Sequence, residues 1–187
     1  EAKGSGAIFG SDAFGGGGQF GVNMPFGSAL VVGLEIDATG YNNETTKAAN
    51  NVVYPCCVAT NFSTANTVEQ SWVGTARVRL GLANDFGMIY ATGGFSGGEV
   101  TFTQTFADTF SPVALQTIAN SEFLTGYSIG GGIELMIESG VTLRAEYLHM
   151  DLGEITATGP IGTGAGGHIS TGTAEVSDQF LRVGLSF

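Results

Sequence analysis

Polar and apolar residues alternate one by one along most of this chain, and no stretch repeats at helical spacing. Successive side chains of an extended strand point to opposite faces, so each alternating run predicts a β-strand. The last run sets Leu181, Val183, Leu185 and Phe187 on one side and Asp178, Arg182, Gly184 and Ser186 on the other. Earlier runs behave alike. Gly18, Phe20, Val22 and Met24 oppose Gln19, Gly21 and Asn23; after a turn at Pro25-Phe26-Gly27, Leu30, Val32, Leu34 and Ile36 oppose Ala29, Val31, Gly33, Glu35 and Asp37. The clearest run spans Ser71 to Ala83, with Trp72, Ala76, Val78, Leu80 and Leu82 against Thr75, Arg77 and Arg79. Asn84-Asp85 turns the chain into a run with Ile89, Ala91, Gly93 and Phe95 on the apolar side. Beyond Gly97-Gly98 that side passes to Val100, Phe102 and Phe106, which predicts a β-bulge at the glycine pair. Thr125, Tyr127, Ile129, Gly131, Ile133 and Leu135 then oppose Ser128, Gly130, Gly132 and Glu134. Past the turn at Glu138-Ser139-Gly140, Val141, Leu143, Ala145 and Tyr147 oppose Thr142, Arg144 and Glu146. The pattern predicts seven strands and no helix.

The connections are unequal. Short turns alternate with long polar segments at 42–68, 107–121 and 153–174, while residues 1–15 show no period and read as the remainder of a first external loop. Short turns at one end and long loops at the other are the plan of an antiparallel up-and-down transmembrane β-barrel, apolar towards lipid and polar within. A soluble barrel would turn its apolar residues inward. It would not hold its arginines and carboxylates consistently opposite a continuous apolar band. The whole chain, 1–187, reads as one such domain.

Composition narrows this further. Among 187 residues there are 31 Gly, 4 Pro and 6 Lys plus Arg. Glycine lowers helix probability and relieves crowding at strand bends. The net charge of −11 repels phosphate backbones and sets nucleic-acid binding aside. No signal peptide stands at Glu1, which implies a mature or truncated sequence if the protein is exported. The two cysteines, Cys56 and Cys57, are adjacent. Two thiols are too few for a paired-cysteine zinc site. They form a strained vicinal bridge in the loop, remain free, or cross-link neighbouring copies.

With the apolar faces towards lipid, strand parity sends Glu35, Asp37, Arg77, Arg79, Glu134, Arg144, Glu146, Asp178 and Arg182 inward. Buried charges need partners, and an eight-stranded barrel is only wide enough for side chains to fill it. These nine residues therefore predict an ion-pair plug. The alternative is a narrow channel in which the arginines select anions.

The stretches Gly-Gly-Gly-Gly-Gln-Phe-Gly-Val-Asn from Gly15, Val-Gly-Leu-Glu-Ile-Asp from Val32, Trp-Val-Gly-Thr-Ala-Arg-Val-Arg-Leu-Gly from Trp72, Tyr-Ala-Thr-Gly-Gly from Tyr90 and Arg-Ala-Glu-Tyr-Leu-His-Met-Asp-Leu-Gly from Arg144 carry a resemblance, as does the end in Phe187. The chain resembles the small outer-membrane β-barrels of Gram-negative bacteria, the opacity-protein-like and OmpA-transmembrane-like porins common in alphaproteobacteria. That resemblance implies an eight-stranded barrel without cofactor or catalysis. It also implies insertion by the outer-membrane assembly machinery reading Leu181, Val183, Leu185 and Phe187. The partners implied are outer-membrane lipid and lipopolysaccharide, other envelope proteins, or further copies of the chain. The role implied is envelope integrity, adhesion or lateral assembly, with a small-solute or ion channel as the alternative. Family members begin with an upward strand that the pattern here lacks, so the first strand is expected to be missing; the rival is a short irregular strand at Ala7 to Phe14.

Sharper motifs carry less. Gly16 to Gly21 and Gly162 to Gly167 fit Gly-x-Gly-x-x-Gly, but neither follows a strand and opens a helix as a dinucleotide site requires. His149 with Asp151 suggests a surface hydrolase, yet parity puts His149 on the outer face and no serine is placed as a nucleophile. Trp72, Tyr41, Tyr147 and Phe102 near one rim, and Phe26 and Phe86 near the other, are expected in aromatic girdles.

Overall fold

A computed structural model describes residues 2–9, 14–54, 57–108, 114–138, 140–161 and 168–186. Eight strands follow one another: β1 (Ala2–Phe9), β2 (Phe14–Phe26), β3 (Leu30–Tyr54), β4 (Cys57–Asn84), β5 (Gly87–Asp108), β6 (Ala114–Glu138), β7 (Val141–Ile161) and β8 (His168–Ser186). Each pairs antiparallel with the next, and β1 pairs with β8, so the barrel is closed. The described residues contain no helix.

The missing-strand expectation is therefore corrected. Ala2–Phe9 pairs with β2 from Ala2↔Gly21 to Phe9↔Phe14 and with β8 from Gly4↔Ser186 to Phe9↔Leu181. An open edge in lipid would leave backbone groups unsatisfied at several kcal/mol each, and this strand removes it. It escaped the pattern because its sequence, and the Gly15–Gly18 run facing it, contain too many glycines to declare a face.

The turns are tight. Pro25 and Phe26 still pair with Val31 and Leu30, leaving residues 27–29 as the turn. At the next turn Asn84 Oδ1 accepts from the backbone N–H of Phe86 and Gly87 at 2.9 and 3.1 Å. The outer face above these turns is apolar. Leu34, Ile36, Val78, Leu80, Ile89, Phe95, Ile129, Leu181 and Leu185 are all exposed, as are Phe26 and Phe86 beside the turns.

About ten strand residues, tilted by roughly 40°, cross a ~25 Å apolar band. β3 has 25 residues and β4 has 28, so their far halves stand clear of it. The segments expected to be loops are in large part paired strand. β3 and β4 pair from Asn43↔Gln70 to Tyr54↔Cys57, β5 and β6 as far as Asp108↔Ala114, and β7 and β8 as far as Ile161↔His168. Hydroxyl pairs lace the outside of this extension, three of threonine with threonine and one of threonine with serine: Thr46–Thr67 and Thr101–Ser121 at 2.9 Å, Thr156–Thr173 and Thr158–Thr171 at 3.1 Å. β-branched hydroxyl side chains facing one another across a ladder are a source of sheet stability.

The bulge expected at Gly97-Gly98 is not there. β5 pairs with β6 through Gly97↔Thr125 and Gly98↔Leu124 without a shift, and the irregularity lies on β4, between Gln70 and Gly74. Along β5 the even positions stay inside throughout, from Tyr90 and Thr92 to Val100, Phe102 and Gln104. What changes is the surroundings. Where lipid gives way to water, the apolar residues move to the interior with no change in strand phase. Phe102 and Tyr41, expected in the outer girdle, are accordingly buried, and Tyr41 meets Phe180 edge-on at 5.2 Å. They belong to a core with Val73, Val100, Leu124, Leu148, Met150 and Ile155 that fills the upper barrel.

Candidate functional site

Below that core the lumen is ionic. Glu35 and Asp37 come from β3, Arg77 and Arg79 from β4, Glu134 from β6, Arg144 and Glu146 from β7, and Arg182 from β8. Strand parity points them all inward, and a barrel of this width leaves them no separate places. Arg77 sits at the centre. Its Nη2 reaches Glu35 Oε1 at 2.5 Å and Asp37 Oδ2 at 2.7 Å, and its Nη1 donates to Glu146 Oε1 at 3.0 Å. Arg144 grips Glu35 through both guanidinium nitrogens, at 2.6 and 2.9 Å, and also pairs with Glu146. Arg79 pairs with Glu134 and lies 3.4 Å from Glu35. Arg182 closes the ring on Asp37 at 3.0 Å.

Four guanidinium groups thus face four carboxylates, and the layer is neutral. It is also dry. The side chains of Arg77 and Glu146 are 0% and 1% accessible, and those of Glu35 and Arg79 are 3% and 5%. A continuous aqueous path along the axis would wet them.

Neutral residues extend the network, while Arg77 Nε, Arg79 Nε, Arg182 Nε and Arg182 Nη2 have no partner among the described residues. Tyr90 on β5 donates its hydroxyl proton to Glu146 Oε2 at 3.0 Å and accepts from Arg144 Nε at 2.7 Å. The Arg79 guanidinium lies 3.9 Å above the Tyr90 ring, a cation–π stack. Gly132 makes room for it: a Cβ there would stand 2.5 Å from the Tyr90 hydroxyl oxygen. Gln19 on β2 accepts from Arg144 at 2.6 Å and donates to Ser186 at 3.2 Å, and Thr75 donates to Asp37 at 2.5 Å. Seven of the eight strands therefore meet in one layer. Tyr90 lies opposite the apolar face of its strand, so parity was the signal that marks it.

Asp178 stands apart from the nine expected lumen residues. It lies on the inner face of β8 one level higher, where it accepts from Asn43 Nδ2 at 3.1 Å. Parity assigns a face and says nothing about height. Leu181, Val183 and Leu185 are on the outer face of β8. Phe187 and Cys56 lie outside the described residues, and Cys57 is described only as the first residue of β4. His149 and Asp151 are engaged separately. The His149 ring packs against Tyr127 at 6.4 Å, and Asp151 Oδ1 accepts from the Gly153 N–H at 2.9 Å.

Over 142 residues the chain is 32% identical to the 31 kDa outer-membrane immunogenic proteins of Brucella melitensis and Brucella suis, covering 75% of this chain and 55% of each relative. The chain thus spans about half the length of these curated relatives. Among solved structures, a major outer membrane protein from Thermus thermophilus is similar at TM-score 0.48 and 12% identity, over 100% of this chain and 99% of that one. The attachment invasion locus protein Ail of Yersinia pestis is similar at TM-score 0.44 and 11% identity, over 100% and 94%. The family model for the outer membrane protein beta-barrel domain matches residues 2–187. This chain, with its closed eight-stranded barrel and lipid-facing exterior, belongs to the outer membrane protein β-barrel domain family and is an outer-membrane protein of Gram-negative type.

Proposed function

We propose that the barrel is a closed, non-catalytic anchor that serves envelope integrity and presents a stiff strand extension at the cell surface. The observation that carries this reading is the neutral, desolvated layer of Arg77, Arg79, Arg144 and Arg182 against Glu35, Asp37, Glu134 and Glu146. Anion selection requires arginines with field to spare, and these are compensated within contact distance. Above the plug, the apolar core supports an extension whose faces are available for adhesion or for lateral assembly with envelope partners or further copies. The outer band meets lipid and lipopolysaccharide, and the strand ending in Leu181, Val183 and Leu185 is the segment that the assembly machinery would read.

Reconstitution into planar bilayers tests the reading. The account predicts silence on the single-channel scale. Steady, ion-selective conductance steps would overturn it in favour of a narrow porin-like channel.

A further inference from the structure

Above the lipid band the backbone ladder is no longer closed. β6 and β7 pair only from Tyr127↔Asp151 downward, and β8 pairs with β1 only from Phe9↔Leu181 downward. Higher up, β3 to β6 continue as one four-stranded sheet and β7 and β8 as a two-stranded arm, and no ladder joins the two among the described residues. Two seams separate them. The one beside β3 is a cleft of about 550 Å³. The one beside β6 is crossed by Asn120 Nδ2, which donates to the Thr156 carbonyl oxygen at 2.9 Å.

A two-stranded hairpin on its own is marginal in water, so the arm keeps its place by docking. Ile155 and Ala157 on its inner face are 0% and 2% exposed, in one core with Val100 and Phe102 of the sheet. Ser170 Oγ adds a polar clip, donating to Gln104 Oε1 at 2.9 Å. Two glycines let the surfaces close. A Cβ at Gly172 would stand 2.8 Å from Gln104 Nε2 and 3.0 Å from the Phe102 ring, and a Cβ at Gly159 would stand 2.8 Å from Ile118. Surfaces docked in this way separate without breaking a sheet hydrogen bond in either part. The arm also has a joint at its foot, where Gly153 takes φ +83° and the register with β8 breaks between Asp151 and Gly153.

We propose that the β7–β8 arm is a hinged flap, docked at rest, that opens from the four-stranded sheet as one body about the Gly153 joint. Opening uncovers Phe102 and Ile155, so the flap sets whether the outer end of the barrel presents a polar or a hydrocarbon surface. The stiff member of the extension is then the four-stranded sheet. Leu148 lies below the joint, at Gly130↔Leu148, where β6 and β7 stay paired. The plug takes no part in the motion, so the flap stands or falls apart from whether the barrel conducts.

The test is the rate at which a water-soluble, charged methanethiosulfonate labels single cysteines in the folded, lipid-reconstituted barrel, with Cys56 and Cys57 replaced by serine. Ile155→Cys and Ala157→Cys report on two heights of the arm, and Leu148→Cys, equally buried, reports on the closed barrel. The expected result is one shared rate for the two arm sites, at least tenfold above that of Leu148→Cys. Gly172→Val, a wedge against Phe102, should raise both arm rates at least tenfold, and Thr171→Val, on the outer face of the same strand, should leave them unchanged. A heat-dependent gel shift would show that each variant is folded. Labelling of Ile155→Cys no faster than of Leu148→Cys would overturn the proposal. So would Ala157→Cys reacting well ahead of Ile155→Cys, which marks fraying from the tip, or arm rates unmoved by Gly172→Val or raised as much by Thr171→Val.

Discussion

Arg77 shows most plainly what a single residue does in this barrel. Three carboxylates converge on its guanidinium, and the shortest contacts are 2.5 and 2.7 Å. Breaking a buried pair from one side leaves the other charge stranded, at about 3–5 kcal/mol. Arg77→Ala should lower unfolding stability by that order, read from the fluorescence of the sole tryptophan, Trp72, during guanidinium titration in lipid vesicles. A loss below about 1 kcal/mol would mean that water replaces the missing charge and that the layer is not dry. Tyr90→Phe removes the hydroxyl that bridges Arg144 and Glu146. It should cost about 1–3 kcal/mol in the same titration, and no loss would mean that the bridge is idle. The charges on β3, β4, β6, β7 and β8 were legible because parity separates them from an apolar face. Asp178 was misplaced because the sequence carries no measure of height along the axis, and that height decides which charges meet.

At the scale of the element, the extension is where a sequence reading and the structure part. Residues 42–68, 107–121 and 153–174 look like loops because asparagine and threonine replace the apolar residues that make alternation visible. Yet Thr156 and Thr158, and Thr171 and Thr173, already repeat every second residue. That period was the available signal, and across the ladder these hydroxyls pair. The paired strand should protect its amides. In deuterium exchange, residues 62–68 and 155–160 are expected to exchange far more slowly than a solvated loop, and exchange complete within seconds would restore the loop reading. On β7 the in-out phase does shift, at Gly153, which has φ +83° and interrupts the register between Asp151 and Gly153. Leu152 and Ile155 both remain buried as a result. Gly153→Ala puts a Cβ on a left-handed residue and should cost about 1–2 kcal/mol, although nothing lies within 4 Å of that Cβ to clash with it.

For the whole molecule, one barrel serves two solvents: β5 crosses between them in a single strand phase, whereas β4 and β7 shift theirs, between Gln70 and Gly74 and at Gly153. In the lower barrel the lipid takes the apolar residues and the interior takes the charges. In the upper barrel water takes the outside, and the same inner face becomes a hydrocarbon core of Phe102, Leu148, Met150 and Ile155. The bulge expected at Gly97-Gly98 would explain with backbone geometry what a change of surroundings explains without it. β5 crosses this boundary with an unbroken register to β6, so a nitroxide scan along it, in a background where Cys56 and Cys57 are serine, is the most direct measurement. In a lipid-reconstituted barrel, labels at Ile89, Ala91 and Phe95 should be relaxed by oxygen, and labels at Thr101 and Thr103 by a water-soluble nickel chelate. Labels at Ser96, Val100 and Phe102 should be shielded from both. If accessibility passes from odd to even positions beyond Gly98, the strand slips its phase and the account is contradicted.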